Sequence, residues 1–189
     1  MDLRIANLNK SFESKTVLND INIVFSDGKR TVIMGDSGCG KTTLLRIIMG
    51  FELCDSGEVA GVPERISAVF QEDRLLEGFS AVSNVAFAAD KGITGDVILK
   101  HLAEVGLRES AYQSVSEMSG GMKRRVAIVR ALLAKKELLL LDEPLKGLDD
   151  QNRERAAEYI KRHSEGVTTI IVTHDADDVT LLDAVLIRM

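Results

Sequence analysis

The sequence predicts an α/β fold, a mainly parallel sheet with a small antiparallel β subdomain at the start and a helical subdomain of about residues 76–135 inserted in the core. Three observations carry this. Leu138-Leu139-Leu140-Leu141 and Val167-Thr168-Thr169-Ile170-Ile171-Val172 are uninterrupted apolar or β-branched runs, the pattern of strands buried on both faces of a parallel sheet. Thr31-Val32-Ile33-Met34 leads into a glycine-rich loop and then into Leu44, Leu45, Ile47, Ile48 and Phe51 at helical spacing. From about Ser80 to Ala134 the period turns helical, with Met122, Val126, Val129 and Leu133 at i, i+4, i+7, i+11.

The remaining elements fall into order around these. Leu3 and Ile5, then Ile21, Ile23 and Phe25, alternate with polar neighbours and read as half-buried antiparallel strands, with an Asn/Lys/Ser/Glu-rich turn at about residues 9–16. Ile66 to Phe70 is a short strand. A charged helix from about Asp149 to His163 joins the two central runs, and Ala184 to Ile187 is the last strand. Residues 1–189 read as a single domain of ordinary size.

Composition narrows the function. Hydrophobic residues make up 45% and charged residues 28%, a globular balance, and the net charge of -5 offers no basic excess for nucleic acid. Cys39 and Cys54 are the only cysteines, and Cys39 sits where a disulfide would distort the glycine-rich loop, so a reducing, cytoplasmic compartment is expected. No stretch reaches the roughly 18 apolar residues of a membrane span, so membrane contact is expected through a partner.

Gly35-Asp36-Ser37-Gly38-Cys39-Gly40-Lys41-Thr42 matches the phosphate-loop pattern G-x-x-x-x-G-K-[ST] between a strand and a helix. Its glycines let the backbone N–H groups point inward at a helix N-terminus, an anion nest. Lys41 would bridge the β- and γ-phosphates and the Thr42 hydroxyl would ligate Mg²⁺. The four leucines deliver Asp142 and Glu143 to the carboxyl end of a buried strand. Asp142 suits Mg²⁺, directly or through water. Glu143 can face the γ-phosphate and polarise a water as general base. Together these features indicate a P-loop NTPase.

Ser116-Glu117-Met118-Ser119-Gly120-Gly121-Met122-Lys123-Arg124-Arg125 resembles the signature of ABC ATPases, Leu-Ser-Gly-Gly-Gln followed by basic residues. Gln71 resembles the Q-loop, Gly147-Leu148-Asp149 the D-loop, Thr173-His174-Asp175 the switch histidine and Phe12 the adenine-stacking aromatic. Each alone is weak, and their shared order from about Leu3 to Ile187 gives the resemblance its force. It implies an ATP-binding and ATP-hydrolysing subunit, with ATP and Mg²⁺ as cofactors. Two subunits, identical or paired, would pack head to tail, each ATP lying between the loop of one and the signature of the other. The implied nucleotide contacts are Phe12, Gly35 through Thr43, Asp142, Ser119, Gly120, Gly121 and Asp149. Thr42, Gln71 and Asp142 would lie at the metal, and Lys41, Gln71, Glu143 and His174 at the reacting phosphate.

The surroundings of Phe70-Gln71-Glu72-Asp73-Arg74-Leu75-Leu76 resemble the Q-loop of importer ATPases of the nitrate, sulfonate and taurine group. The resemblance implies a separate permease, a substrate-binding protein reached through it, and a place on the cytoplasmic face of the membrane. Leu75, Leu76, Phe79 and Phe87 then line a permease groove or the helical core. Met122 stands where the family's signature has glutamine. The segment between Lys41 and Gln71 and the end of the chain look shorter than is usual for importers, implying a compact ATPase without a C-terminal regulatory domain. The competing reading is a soluble ABC ATPase outside transport, which would ordinarily show a long coiled-coil insertion or two ATPase domains.

Overall fold

A computed structural model describes residues 1–13 and 15–189. Strands β1 (Leu3–Phe12), β2 (Lys15–Phe25) and β4 (Ser56–Ala60) form an antiparallel sheet in the order β2-β1-β4. Strands β3 (Arg30–Met34), β5 (Ile66–Val69), β6 (Leu138–Asp142), β7 (Thr168–Val172) and β8 (Val185–Arg188) form a second sheet, β5-β6-β7-β3-β8, in which every neighbouring pair is parallel.

The leucine run of β6 explains the layering. Side chains alternate across a strand, so Leu138 and Leu140 join one core while Leu139 and Leu141 join another. The first core holds Leu3, Ile5, Leu8, Leu18 and Phe25 of the antiparallel sheet and Leu44, Leu45, Ile47 and Ile48 of helix α1 (Lys41–Ile48). The second holds Val126, Ile128 and Val129 of α4 (Gly120–Leu133), Ala156, Tyr159 and Ile160 of α5 (Asp150–His163), and residues of α2 (Ala81–Ala86) and α3 (Gly95–Glu104). With both faces covered, every residue of β6 and β7 is buried, hence the leucine run of β6 and the β-branched run of β7, whose Thr168 and Thr169 hydroxyls are satisfied internally by Asp27 and the Val167 carbonyl. Each such leucine stabilises the fold by about 1.5–3 kcal/mol through removal from water.

Three expectations shift. The turn placed at residues 9–16 is shorter: β1 continues to Phe12 and β2 begins at Lys15, while Ser14 lies outside the described residues. Asp55 sustains this extension, its carboxylate accepting the Ser11 N–H and pairing with Lys10, which also meets Glu52 at 2.9 Å. Helix α1 stops before Phe51, which is exposed and stacks on Phe70 at 6.4 Å. The helical middle is three α-helices and a 3-10 turn (Val115–Glu117), with Ser80, Thr94 and Ser119 capping the α-helices. A short helix α6 (Asp177–Leu181) precedes β8. No described helix is long and apolar enough to cross a membrane.

Candidate functional site

Parallel strands bring several loops to one edge of the sheet. The glycine loop follows β3, Gln71 follows β5, Glu143 follows β6 and His174 follows β7, so all four reach the carboxyl edge. A cleft of about 640 Å³ opens there. Phe12, Ser37, Gly38, Gly40, Lys41, Thr42, Thr43, Gln71, Asp142, Glu143 and His174 line it together.

The loop's shape depends on Gly40, the N-cap of α1. Its φ of 101° is closed to residues with side chains, and a Cβ there would lie 2.5 Å from Leu18 Cδ2 and 2.7 Å from the Val17 carbonyl oxygen. Lys41 is 8% exposed, and its ammonium donates to the carbonyl oxygens of Gly35 (2.7 Å) and Asp36 (2.9 Å). Gly35, Asp36 and Cys39 thus stand behind the cleft and shape the loop, with the Cys39 sulfur 3.7 Å from Nζ.

Asp142 ends β6 and is 5% exposed. The Thr42 hydroxyl donates to its Oδ2 at 3.0 Å. Burial pushes the Asp142 carboxyl above its ordinary range; the Thr42 hydrogen bond opposes this and the neighbouring Glu143 charge adds to it. Among the described residues no cationic side chain lies within ion-pair distance of Asp142. A buried carboxylate without a cationic partner, beside a hydroxyl, is a donor set that fits a hard divalent cation.

Glu143 departs from the strand. Its φ is +53°, a left-handed conformation sparsely occupied by residues with side chains, and its N–H is held by the Val172 carbonyl at 2.8 Å. The turn aims the carboxylate at His174, whose Nδ1 lies 2.8 and 2.9 Å from the two oxygens. Backbone strain of roughly 1–3 kcal/mol held at such a position is common where a side chain must be re-aimed.

Four further predicted residues lie outside this cleft. Ser119 caps α4, its hydroxyl accepting the Met122 N–H at 3.3 Å, and Gly120 and Gly121 form the first turn of that helix. Asp149 caps α5, accepting from the Asn152 N–H at 3.0 Å and from Asn152 Nδ2 at 2.7 Å. Phe12 stands at the cleft's edge, with Lys10 Nζ 5.0 Å from its ring centre.

Sequence reading missed Val17, Lys146 and Val172 in the lining, and the grip of α4 on the Gln71 loop. Arg124 donates to the carbonyl oxygens of Phe70 and Gln71, both at 2.6 Å, and pairs with Asp73. Arg130 donates to the carbonyl oxygens of Asp73 and Arg74, both at 2.8 Å. Arginines embedded in the apolar period of α4 were the available signal, since a guanidinium enters a packed face only where acceptors await it.

Comparison with known proteins bears on the family and the fold. The model of the family described as ABC transporter matches residues 18–146. The chain belongs to the ABC transporter family. As a cassette of that family it is an ATP-binding ATPase. It is 37% identical, over 99% of its own length and 81% of the relative's, to an aliphatic sulfonates import ATP-binding protein of Pseudomonas syringae pv. tomato. It is 39% identical over 94% of its length to a spermidine/putrescine import ATP-binding protein of Fusobacterium nucleatum, of which it spans 52%. The dimeric structure of a bacterial ABC transporter cassette superposes with a TM-score of 0.83 at 26% identity, covering 98% of this chain and 94% of that one.

Proposed function

We propose that this ABC cassette hydrolyses MgATP as one half of a head-to-tail pair and so drives an importer's membrane permease from the cytoplasmic face. The observation that carries this is the division of the predicted ATP contacts. One set lines the cleft, while Ser119, Gly120 and Gly121 stand outside it at the start of α4, where Gly120 faces open space. A second subunit placing its α4 over the cleft would complete the nucleotide's surroundings, consistent with the dimeric cassette it resembles.

Mg²⁺ held by Asp142 and Thr42, with Gln71 beside it, would screen the phosphate charge. The loop N–H groups and Lys41 orient the phosphates. Glu143 takes the proton of the attacking water as its oxygen bonds to the γ-phosphorus, and the bond to the ADP oxygen breaks. His174, bonded to the Glu143 carboxylate, fixes that group's orientation. The chain works as one unit, with residues 76–135 as its inserted helical arm.

A groove of about 720 Å³ between α1 and the Gln71 loop, lined by Met49, Phe51, Phe70, Gln71 and Arg74, suits an apolar segment of the permease. Leu76, Phe79 and Phe87 are exposed outside it, while Leu75 packs on the core. The relatives' names point to import of sulfonates or polyamines as the class of process; a substrate-binding protein reached through the permease is a further part of the proposal.

The test is the mass of Glu143→Gln with and without MgATP, measured by light scattering, with Lys41→Ala as the non-binding control. Doubling with MgATP, absent in the control, supports the proposal, alongside a fall in hydrolysis of about 10²–10⁴-fold. A variant that binds no ATP overturns the reading.

A further inference from the structure

The chain has three histidines, and two of them meet far from the nucleotide cleft. His101 and Glu104 lie three residues apart on α3 and share one face of it. His163 closes α5, one turn beyond Tyr159. One ring nitrogen of each histidine and one carboxylate oxygen of Glu104 all lie within 4.8 Å of one another. His163 Nε2 is 3.0 Å from Glu104 Oε2, His101 Nδ1 is 4.0 Å from Oε1, and the two imidazole rings are 4.7 Å apart.

We propose that His101, Glu104 and His163 form a site for one zinc-type divalent cation that ties α3 of the helical arm to α5 of the core. Two imidazoles and one carboxylate make the three-ligand set of open zinc sites, where a water takes the fourth place. Imidazole ligands favour zinc over magnesium, so the site is chemically distinct from the oxygen donors of Asp142 and Thr42. Tetrahedral ligands at about 2.0–2.1 Å stand roughly 3.4 Å apart, a contraction that partly exposed side chains reach by small rotamer changes.

The surroundings support this set. The Tyr159 hydroxyl lies 2.9 Å from His101 Nδ1 and holds the ring in place, a hydrogen bond that yields to the cation where that nitrogen is the ligand. Tyr159 is buried, so this partner is fixed by the core. Arg162 now pairs with Glu104 at 2.9 Å, and Glu158, 3.8 Å away, gives it a second partner when the Glu104 oxygen turns to the cation. A surface cavity of about 340 Å³ lined by Glu104, Glu158, Tyr159 and Arg162 adjoins the cluster on its Glu104 side.

The experiment is a zinc titration of the full chain after chelator treatment, read by competition with a chromophoric chelator and by the visible spectrum with Co²⁺. The variants are His163→Gln, Glu104→Gln, His174→Gln and the double Cys39→Ser, Cys54→Ser. We expect one equivalent to bind the wild type and to raise its melting temperature, with Mg²⁺ inert in this assay. Affinity should fall by more than roughly 100-fold in His163→Gln and Glu104→Gln, since losing a ligand costs more than losing an outer partner. It should persist in the other two variants. Unchanged affinity in both ligand variants, or loss of the equivalent in the His174 or cysteine variants, overturns the site. Glu104 is exposed, so Glu104→Gln supplies a folded variant should His163→Gln melt early without metal.

Discussion

Glycines of the predicted site stand at two helix starts, those of α1 and α4, and they differ in why they are there. At α1 the reason lies inside the chain: Gly40 has a φ of 101° and its missing Cβ leaves room for Leu18 and Val17. At α4 nothing within the chain requires them. A Cβ on Gly120 would meet open space, and one on Gly121 would make ordinary contact with Leu148 at 3.4 Å. Glycine in a helix costs about 0.5–1 kcal/mol relative to alanine, so the second pair lowers stability without a benefit visible in the monomer. Gly40 shapes a site, and the pair at α4 keeps a surface bare for something to approach.

The largest test of this contrast is Gly40→Ala. Strain at positive φ and overpacking against β2 should together cost roughly 2–5 kcal/mol, read in the urea midpoint, and ATP binding should be lost. Gly120→Ala is the counterpart. Its stability should hold or rise by about 0.5–1 kcal/mol and ATP should still bind the single subunit. MgATP-dependent pairing and hydrolysis should nevertheless fall by about tenfold or more, the cost of about 1.4 kcal/mol at a contact that closes against a partner. Hydrolysis at the wild-type rate in Gly120→Ala would break the comparison.

The two ends also differ in how legible they were. The phosphate loop was readable because its geometry is local: strand, glycines, lysine and helix follow one another, and Gly35 through Thr42 fall where the pattern sets them. Strands β6 and β7 were equally plain, since burial on both faces removes alternation. Strand β4 gave no such signal, because Ser56, Gly57 and Glu58 are all exposed and the strand is held by pairing with β1. The left-handed turn at Glu143 escaped reading because no glycine marks it; its N–H bond to Val172 of the next strand imposes it. Arg124 and Arg130 were legible as charges, yet their acceptors lie more than 50 residues away in sequence.

A smaller effect is expected inside the cleft. Burial raises the Asp142 carboxyl above its unfolded range, so the folded protein takes up that proton first as pH falls. The charge therefore costs stability above the folded pKa, and the cost is relieved as pH drops through it toward the unfolded value. Asp142→Asn should raise the neutral-pH stability of the nucleotide-free protein by on the order of 1 kcal/mol and flatten its acid-side pH dependence. The same variant should lose the Mg²⁺ dependence of ATP binding. A lower melting temperature at neutral pH would mean that the Thr42 hydrogen bond outweighs the burial penalty.

The smallest effect belongs to Met122, where the family's signature has glutamine. Its N–H is already used in the Ser119 cap and its side chain packs only partly against the core, so the fold depends little on the side-chain atoms beyond its Cβ. Met122→Gln should change stability by less than about 0.5 kcal/mol. If Ser119 and the two glycines carry the contact to the partner's nucleotide, restoring an amide adds at most one hydrogen bond, about 0.5–1.5 kcal/mol, or a few-fold in the MgATP concentration needed for pairing. A much larger gain, measured by light scattering across an ATP titration, would shift the weight at this end from the bare backbone of Gly120 and Gly121 to the side chain beside them. The contrast between the two helix starts would then hold for folding alone.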